Sequence, residues 1–119
     1  MSQIVILEKR TYDGWPYDVV CTELLIPSTT IAQVNQVLCD PASAGLVFGS
    51  PVVNVATNTY PDGTVAPPGT AIQVHISGGV LPPLLTALMV TIRAQFTDSL
   101  GNQAEATALL NLTNDVQAV

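Results

Sequence analysis

A chain of 119 residues has room for one hydrophobic core, since single domains typically fall at about 100 to 150 residues, and a two-domain enzyme is excluded. Nine carboxylates against Lys9, Arg10 and Arg93 leave a net charge of -6, which is incompatible with the basic stripe that phosphate neutralisation needs, so neither nucleic acid nor an anionic membrane surface is an expected partner. Hydrophobic residues make up 48% and charged residues only 10%, the reverse of a disordered chain, and the weight of Val, Ile and Thr over aromatics favours β-structure.

Ile4 to Leu7 is an apolar run of four residues, compatible with one short strand, with Lys9 and Arg10 behind it, the wrong length and charge order for a signal peptide. From there to Asp18 charge, Gly14, Pro16 and the aromatics Tyr12, Trp15 and Tyr17 follow one another without helical or strand period. This pattern predicts an extended N-terminal arm, residues 1–18. Aromatic residues are enriched at interface hot spots, so Ile4, Ile6, Tyr12, Trp15 and Tyr17 are candidate contacts with a neighbour; the alternative is that the arm folds back on its own domain.

From Asp18 the period-2 signal predicts a domain over residues 19–113. Val19 to Leu25 is the first expected strand, closed by the Pro27-Ser28-Thr29-Thr30 turn, and Ile31 to Leu38 is the second, ended by Asp40 and Pro41. Leu46 to Phe48 is a short edge piece and Val52 to Thr57 a third strand. Tyr60-Pro61-Asp62-Gly63 is a turn signal, and its tip makes Tyr60 and Asp62 further candidate contacts. Three stronger strands follow. In Thr70 to Ser77, Ile72, Val74 and Ile76 alternate with Gln73, His75 and Ser77 before Gly78 and Gly79. In Leu88 to Thr97, Leu88, Val90, Ile92, Ala94 and Phe96 face inward. Asp98 to Asn102 is a hairpin loop, and Gln103 to Leu112 continues with Ala104, Ala106, Ala108, Leu110 and Leu112 inward; residues 114–119 are a tail. About seven short strands with regular turn signals predict an all-β, antiparallel Ig-like β-sandwich.

The inventory for catalysis is thin. His75 is the single histidine and sits on the polar side of an alternating strand, where a solvated surface role is expected. Cys21 and Cys39 have no CxxC partner or neighbouring histidine and read as buried thiols. Asp13, Asp18, Asp40, Asp62, Asp98 and Glu105 are scattered singly, unlike the clustered oxygens of a calcium loop. No catalytic residue, metal ligand or cofactor is expected, which leaves binding or assembly.

One order of features carries a likeness. Lys9-Arg10 lead into Asp18 to Leu24, followed by Pro27 to Ala32, Gly45-Leu46-Val47, Val74-His75-Ile76-Ser77-Gly78-Gly79, Val90-Thr91-Ile92, Thr97-Asp98-Ser99-Leu100-Gly101 and Leu109 to Leu112. This order resembles small tailed-bacteriophage virion proteins of the fiber-tail adaptor or Ig-like tail type. Val53 to Gly69 and Val80 to Leu88 depart from it and are candidate partner-specific loops. The resemblance implies a non-enzymatic structural joint of the virion, assembled in the host cytoplasm in several symmetric copies, holding other tail, baseplate or fiber proteins through its arm, loops and sheet faces. A capsid decoration protein is a second reading. A carbohydrate-binding module is a third, for which Trp15, Tyr17 and Tyr60 would have to supply the aromatic platform.

Overall fold

The computed structural model describes residues 6–10, 14–61 and 63–113. Ten strands form among them: β1 (Ile6–Arg10), β2 (Trp15–Val20), β3 (Ile31–Asp40), β4 (Leu46–Phe48), β5 (Val52–Val53), β6 (Asn58–Thr59), β7 (Val65–Ala66), β8 (Ala71–Gly78), β9 (Ala87–Asp98) and β10 (Gln103–Thr113). The protein is all-β. One sheet has the order β1-β10-β9-β3; a second has β2-β8-β4, with β5 also pairing β8; β6 and β7 form a separate hairpin. Every pairing is antiparallel except that of β1 with β10.

The period-2 pattern is realised in β8, β9 and β10. Ile72, Val74 and Ile76 of β8 are buried, as are Val90, Ile92, Ala94 and Phe96 of β9 and Ala106, Leu110 and Leu112 of β10. Two apolar clusters result. Val19, Cys21, Ile31 and Ile72 meet Ala94, Phe96 and Ala106 in one; Val74 and Ile76 meet Val90, Ile92, Leu110 and Leu112 in the other. Each draws on both sheets, so the sheets lie face to face with the core between them. Hydrophobic transfer from these inward faces is the main stabilising term.

The N-terminal segment departs from expectation. Residues 6–10 and 15–18, expected as an arm outside a domain of residues 19–113, are strands of the two sheets. β1 pairs Ile6 with Leu109 and Arg10 with Thr113, and β2 pairs Trp15 with Ile76 and Val20 with Ala71. Lys9 is buried, and its ammonium donates to the Gly78 carbonyl of the facing sheet and to Arg10 O at 2.7 Å. The Tyr17 hydroxyl reaches across the other way and donates to Glu8 O at 2.8 Å. Two polar side chains thus tie β1 to the opposite sheet.

Three further differences have local causes. The strand expected at Val19 to Leu25 ends at Val20, because Cys21 donates its N–H to Thr70 O (2.8 Å) and the chain folds over the end of the core as a 3-10 turn, Thr22–Leu24, with Leu25 packed inward. The strand expected over Val52 to Thr57 stops at Val53. There the Asn54 side chain takes over the backbone of its neighbours: its Oδ1 accepts from Thr70 N and Ala71 N, and its Nδ2 donates to Ala56 O, Ala66 O and Pro67 O. The extra hairpin β6–β7 lies inside this excursion, closed by Tyr60 N to Thr64 O and Gly63 N to Tyr60 O, both 2.9 Å. Finally, Cys39 is half-buried beside the second cluster and only Cys21 is a fully buried thiol; both are free.

At its end β8 needs glycine. Gly78 has φ +70, and a Cβ on it would lie 2.9 Å from Gly45 O, so any other residue would both strain the backbone and collide with it. From Gly78 the chain enters the loop that leads to β9.

Candidate functional site

Ile4, Tyr12 and Asp62, three of the seven residues expected to make contacts, lie outside the described residues. Of Ile6 the backbone is paired to Leu109. The other three are placed apart. Trp15 opens β2 and is 59% exposed. Tyr17 points inward, opposite Val74, and packs against the second apolar cluster. Tyr60 belongs to the small hairpin, and its hydroxyl donates to Asp18 Oδ2 at 2.6 Å; burial and the Asp18 carboxylate push its pKa up to about 12. Asp18 also accepts from Gln73 Nε2 at 3.0 Å and Asn58 Nδ2 at 3.5 Å, which makes it the anchor of the hairpin on the outer face of β2 and β8. An aromatic platform of Trp15, Tyr17 and Tyr60 is therefore not assembled by the fold.

His75 is exposed on that same outer face, in register with Pro16 of β2, and its ring lies against Gly14, where a Cβ would come within 3.1 Å of Cε1. Cys21 is fully buried, and burial pushes its thiol up to about 12, so it is a thiol and not a thiolate at neutral pH. Burial also raises the Cys39 thiol. Among the described residues no group of three or more His, Cys, Asp or Glu side chains is placed to hold a metal ion, and no helix is long and apolar enough to cross a membrane.

The outer face of the other sheet is polar and internally bonded. Arg93 donates from Nε (3.2 Å) and Nη2 (3.0 Å) to Glu105 Oε2 and from Nη1 to Asp40 Oδ2 at 3.4 Å. Gln95 donates to the same Glu105 oxygen at 2.8 Å and accepts from Gln36 at 2.7 Å, while Asn35 donates to Thr97 Oγ1. The Arg93 guanidinium and the Gln95 amide hold the Glu105 carboxyl below its ordinary range. Beside this row lies an open groove of about 520 Å³ lined by Asn35, Gln95, Gln103 and Glu105 over Ala104 and Phe96.

Besides Val52 in β5, Val65 in β7 and Val55 in the excursion between them, large exposed apolar side chains form two groups at the ends of the facing sheets. Where β8 finishes and β9 starts, Trp15, Val47, Val80, Leu84, Leu85 and Met89 are exposed; at the opposite end, where β9 finishes and β10 starts, Leu24, Ile26 and Leu100 are. Aromatic character and strand alternation do not point to most of these side chains. The available signal was apolar residues inside turns: Leu84 follows Pro82-Pro83, and Leu100 precedes Gly101, at positions where solvated turns carry Gly, Asn, Asp or Ser. No family model matches this sequence, and no curated protein matches it.

Proposed function

We propose that the two facing sheets form an Ig-like sandwich and that the chain is a non-enzymatic structural protein of a tailed-bacteriophage virion, an adaptor that bridges neighbouring tail or fiber components. The observation that carries this reading is the placement of exposed apolar side chains at both ends of the fold, Trp15, Val47, Val80, Leu84, Leu85 and Met89 at one and Leu24, Ile26 and Leu100 at the other. A joint between neighbours needs two attachment surfaces, and exposed apolar patches with polar surroundings are what protein interfaces cover. The resemblance of its order of short motifs to small Ig-like tail proteins is what supports a virion setting, with other virion proteins as partners and no cofactor.

The test is the particle itself. Mass spectrometry of purified virions that encode this chain should detect it in stoichiometric amount, and a nonsense allele should give particles that lack fibers or have unjoined tails in electron micrographs. Virions that contain none of the chain would exclude the structural role; virions whose nonsense allele leaves tails complete and only the head surface altered would replace the joint with a decoration protein.

A further inference from the structure

The outer face of β3, β9 and β10 carries an ordered set of amides at its hairpin end. Val34 and Val37 of β3 both pack against the core, and Asn35 and Gln36 between them are both exposed. Regular alternation leaves one residue between two inward ones; the second is the extra residue of a β-bulge, marked by the register shift between Val34, opposite Phe96, and Gln36, opposite Gln95. Two polar rows across three strands result. In one, Asn35 Nδ2 donates to Thr97 Oγ1 at 3.1 Å and Thr97 stands opposite Gln103; in the next, Gln36 donates to Gln95 at 2.7 Å and Gln95 to Glu105 Oε2 at 2.8 Å. These bonds fix the side chains without exhausting them. No hydrogen bond from another described residue reaches Asn35 Oδ1, Glu105 Oε1 or the Gln103 carboxamide, and the Asn35 and Gln95 amides each keep a second N–H. All four residues line the groove of about 520 Å³.

We propose that this groove binds a neutral oligosaccharide chain, whose hydroxyls exchange hydrogen bonds with the carboxamides of Asn35, Gln95 and Gln103 and with Glu105 Oε1. Charge excludes an anionic ligand. Arg93 is the one Lys or Arg in β3, β9 and β10, and its guanidinium is already shared between Glu105 and Asp40, so a phosphate, sulfate or carboxylate would meet Glu105 with no cation to receive it. A cationic ligand gains little, because the same guanidinium compensates the Glu105 carboxylate. A protein partner is anchored by aromatic or aliphatic side chains, and the two rows, Asn35, Gln36, Gln95, Thr97, Gln103 and Glu105, present none. What fits is an uncharged chain dense in groups that both donate and accept. A hydroxyl does both, and one carboxamide can donate to a hydroxyl while accepting from the next. The bulge is the device that serves this, since it turns two successive amides to one face, and bulges recur where a side chain is re-aimed beside a site. The groove is separate from Trp15, Tyr17 and Tyr60, and the proposal stands or falls independently of the virion role.

Titration of the isotopically labelled full chain, followed by its side-chain amide signals in nitrogen–proton correlation spectra, tests it. The probes are neutral hexaoses of glucose, galactose, mannose and N-acetylglucosamine, with hexagalacturonate as the anionic comparison. At least one neutral hexaose should shift the Asn35, Gln95 and Gln103 amides in a saturable way. With hydrogen bonds alone and no ring to stack on, its dissociation constant should be of the order of 1 mM, and hexagalacturonate should bind roughly tenfold more weakly or worse. Asn35→Ala and Gln103→Ala each remove one exposed carboxamide and should each weaken binding by about threefold or more, the rest of the spectrum showing the fold intact. His75→Gln, on the outer face of the other sheet, should bind like the parent. The proposal is overturned if no neutral hexaose moves these signals at concentrations up to about 20 mM, if hexagalacturonate binds as tightly as the best neutral chain, or if both alanine variants bind like the parent.

Discussion

Asn54 is the residue on which the long excursion between β5 and β8 depends, and its replacement gives a measurable loss. The side-chain oxygen accepts from Thr70 N and Ala71 N, both at 3.0 Å, and the amide donates to Ala56 O and Pro67 O at 2.9 Å and to Ala66 O at 3.2 Å. Asn54→Ala leaves all five backbone groups without that partner. Three of the contacts, those to Thr70, Ala71 and Ala66, are partly shielded from water, and a shielded group left unpaired costs about 1 kcal/mol or more; the other two are exposed and recover water. The sum is ~3 kcal/mol. For a urea slope of about 2 kcal/mol/M, the midpoint should fall by ~1.5 M with the slope unchanged. Asn54→Asp tests the polarity of the site at nearly constant shape. A carboxylate keeps the two N–H contacts but turns an oxygen toward three carbonyls, so protonation, which restores one donor, is favoured in the folded state and the folded pKa is raised above the unfolded value of about 3.9. The Asp variant is then most stable below about pH 3.9 relative to the parent, and loses stability as pH rises through the raised folded pKa. An Asn54→Ala midpoint within experimental error of the parent would refute the assignment of the excursion to this amide.

Ile92→Ala should cost ~2–5 kcal/mol by denaturant unfolding, since Ile92 is fully buried in the second cluster, whereas Gln95→Ala on the outer face should cost less than about 1 kcal/mol; equal losses would contradict the assigned faces of β9. A chain that starts at Asp18 lacks β1 and half of β2 and should show no cooperative thermal transition by circular dichroism, while a melt like that of the full chain would restore residues 6–17 to a detachable arm. Under a thiol reagent at mildly alkaline pH, Cys39 should react first and Cys21, with its thiol pushed up to about 12, only on global unfolding; equal rates would show the core to be open. The Glu105 carboxyl, held below its ordinary 4.5, contributes stability that is present above about that pH and is lost as pH falls through its lowered pKa, so Glu105→Gln should flatten the acid limb of the stability curve; being exposed, the pair is screened and the effect small. An unchanged acid limb would deny the Arg93 contact any energetic role.

The core strands were legible because burial on one face writes itself into the sequence with period 2. Val90, Ile92, Ala94 and Phe96 were all expected inward and are all buried, and the hairpin at Asp98 to Asn102 follows from a carboxylate that caps its own turn, Asp98 Oδ1 accepting from Leu100 N and Asn102 N at 2.9 Å. Elements held by side chain–backbone bonds leave no such record. Asn54 is one polar residue in a β-branched run, and nothing in its identity announces five partners spread over residues 56–71. The 3-10 turn at Thr22–Leu24 is hidden for a related reason: Cys21 and Leu25 face inward four residues apart, a spacing that a strand also permits. Of the expected contact residues, only Trp15 is both described and widely exposed, because aromatic character alone does not separate Tyr17, which packs inward, from a side chain presented to a partner.

A short strand was open at Ile4 to Leu7, but its continuation to Arg10 was hidden by one residue. In β1 the inward positions are Leu7 and Lys9, in register with Leu110 and Leu112, and the outward ones are Glu8 and Arg10. With lysine in an inward place, the run Leu7-Glu8-Lys9-Arg10 shows no alternation, and three charges in a row read as a solvated face. Burying that lysine is tolerable because its stem covers apolar surface while its ammonium reaches the Gly78 carbonyl, at the end of β8 and beyond its last pair with β2, Trp15 with Ile76. The partner strand lies 103 residues away in the sequence and runs parallel, so neither a hairpin signal nor local periodicity could reveal the pairing. This has a functional consequence. β1 is the outermost strand of its sheet: one edge is paired with β10 and the Lys9 ammonium reaches the opposite sheet, while no further strand among the described residues pairs with its other edge, so a strand from a neighbour can be added there with the domain intact.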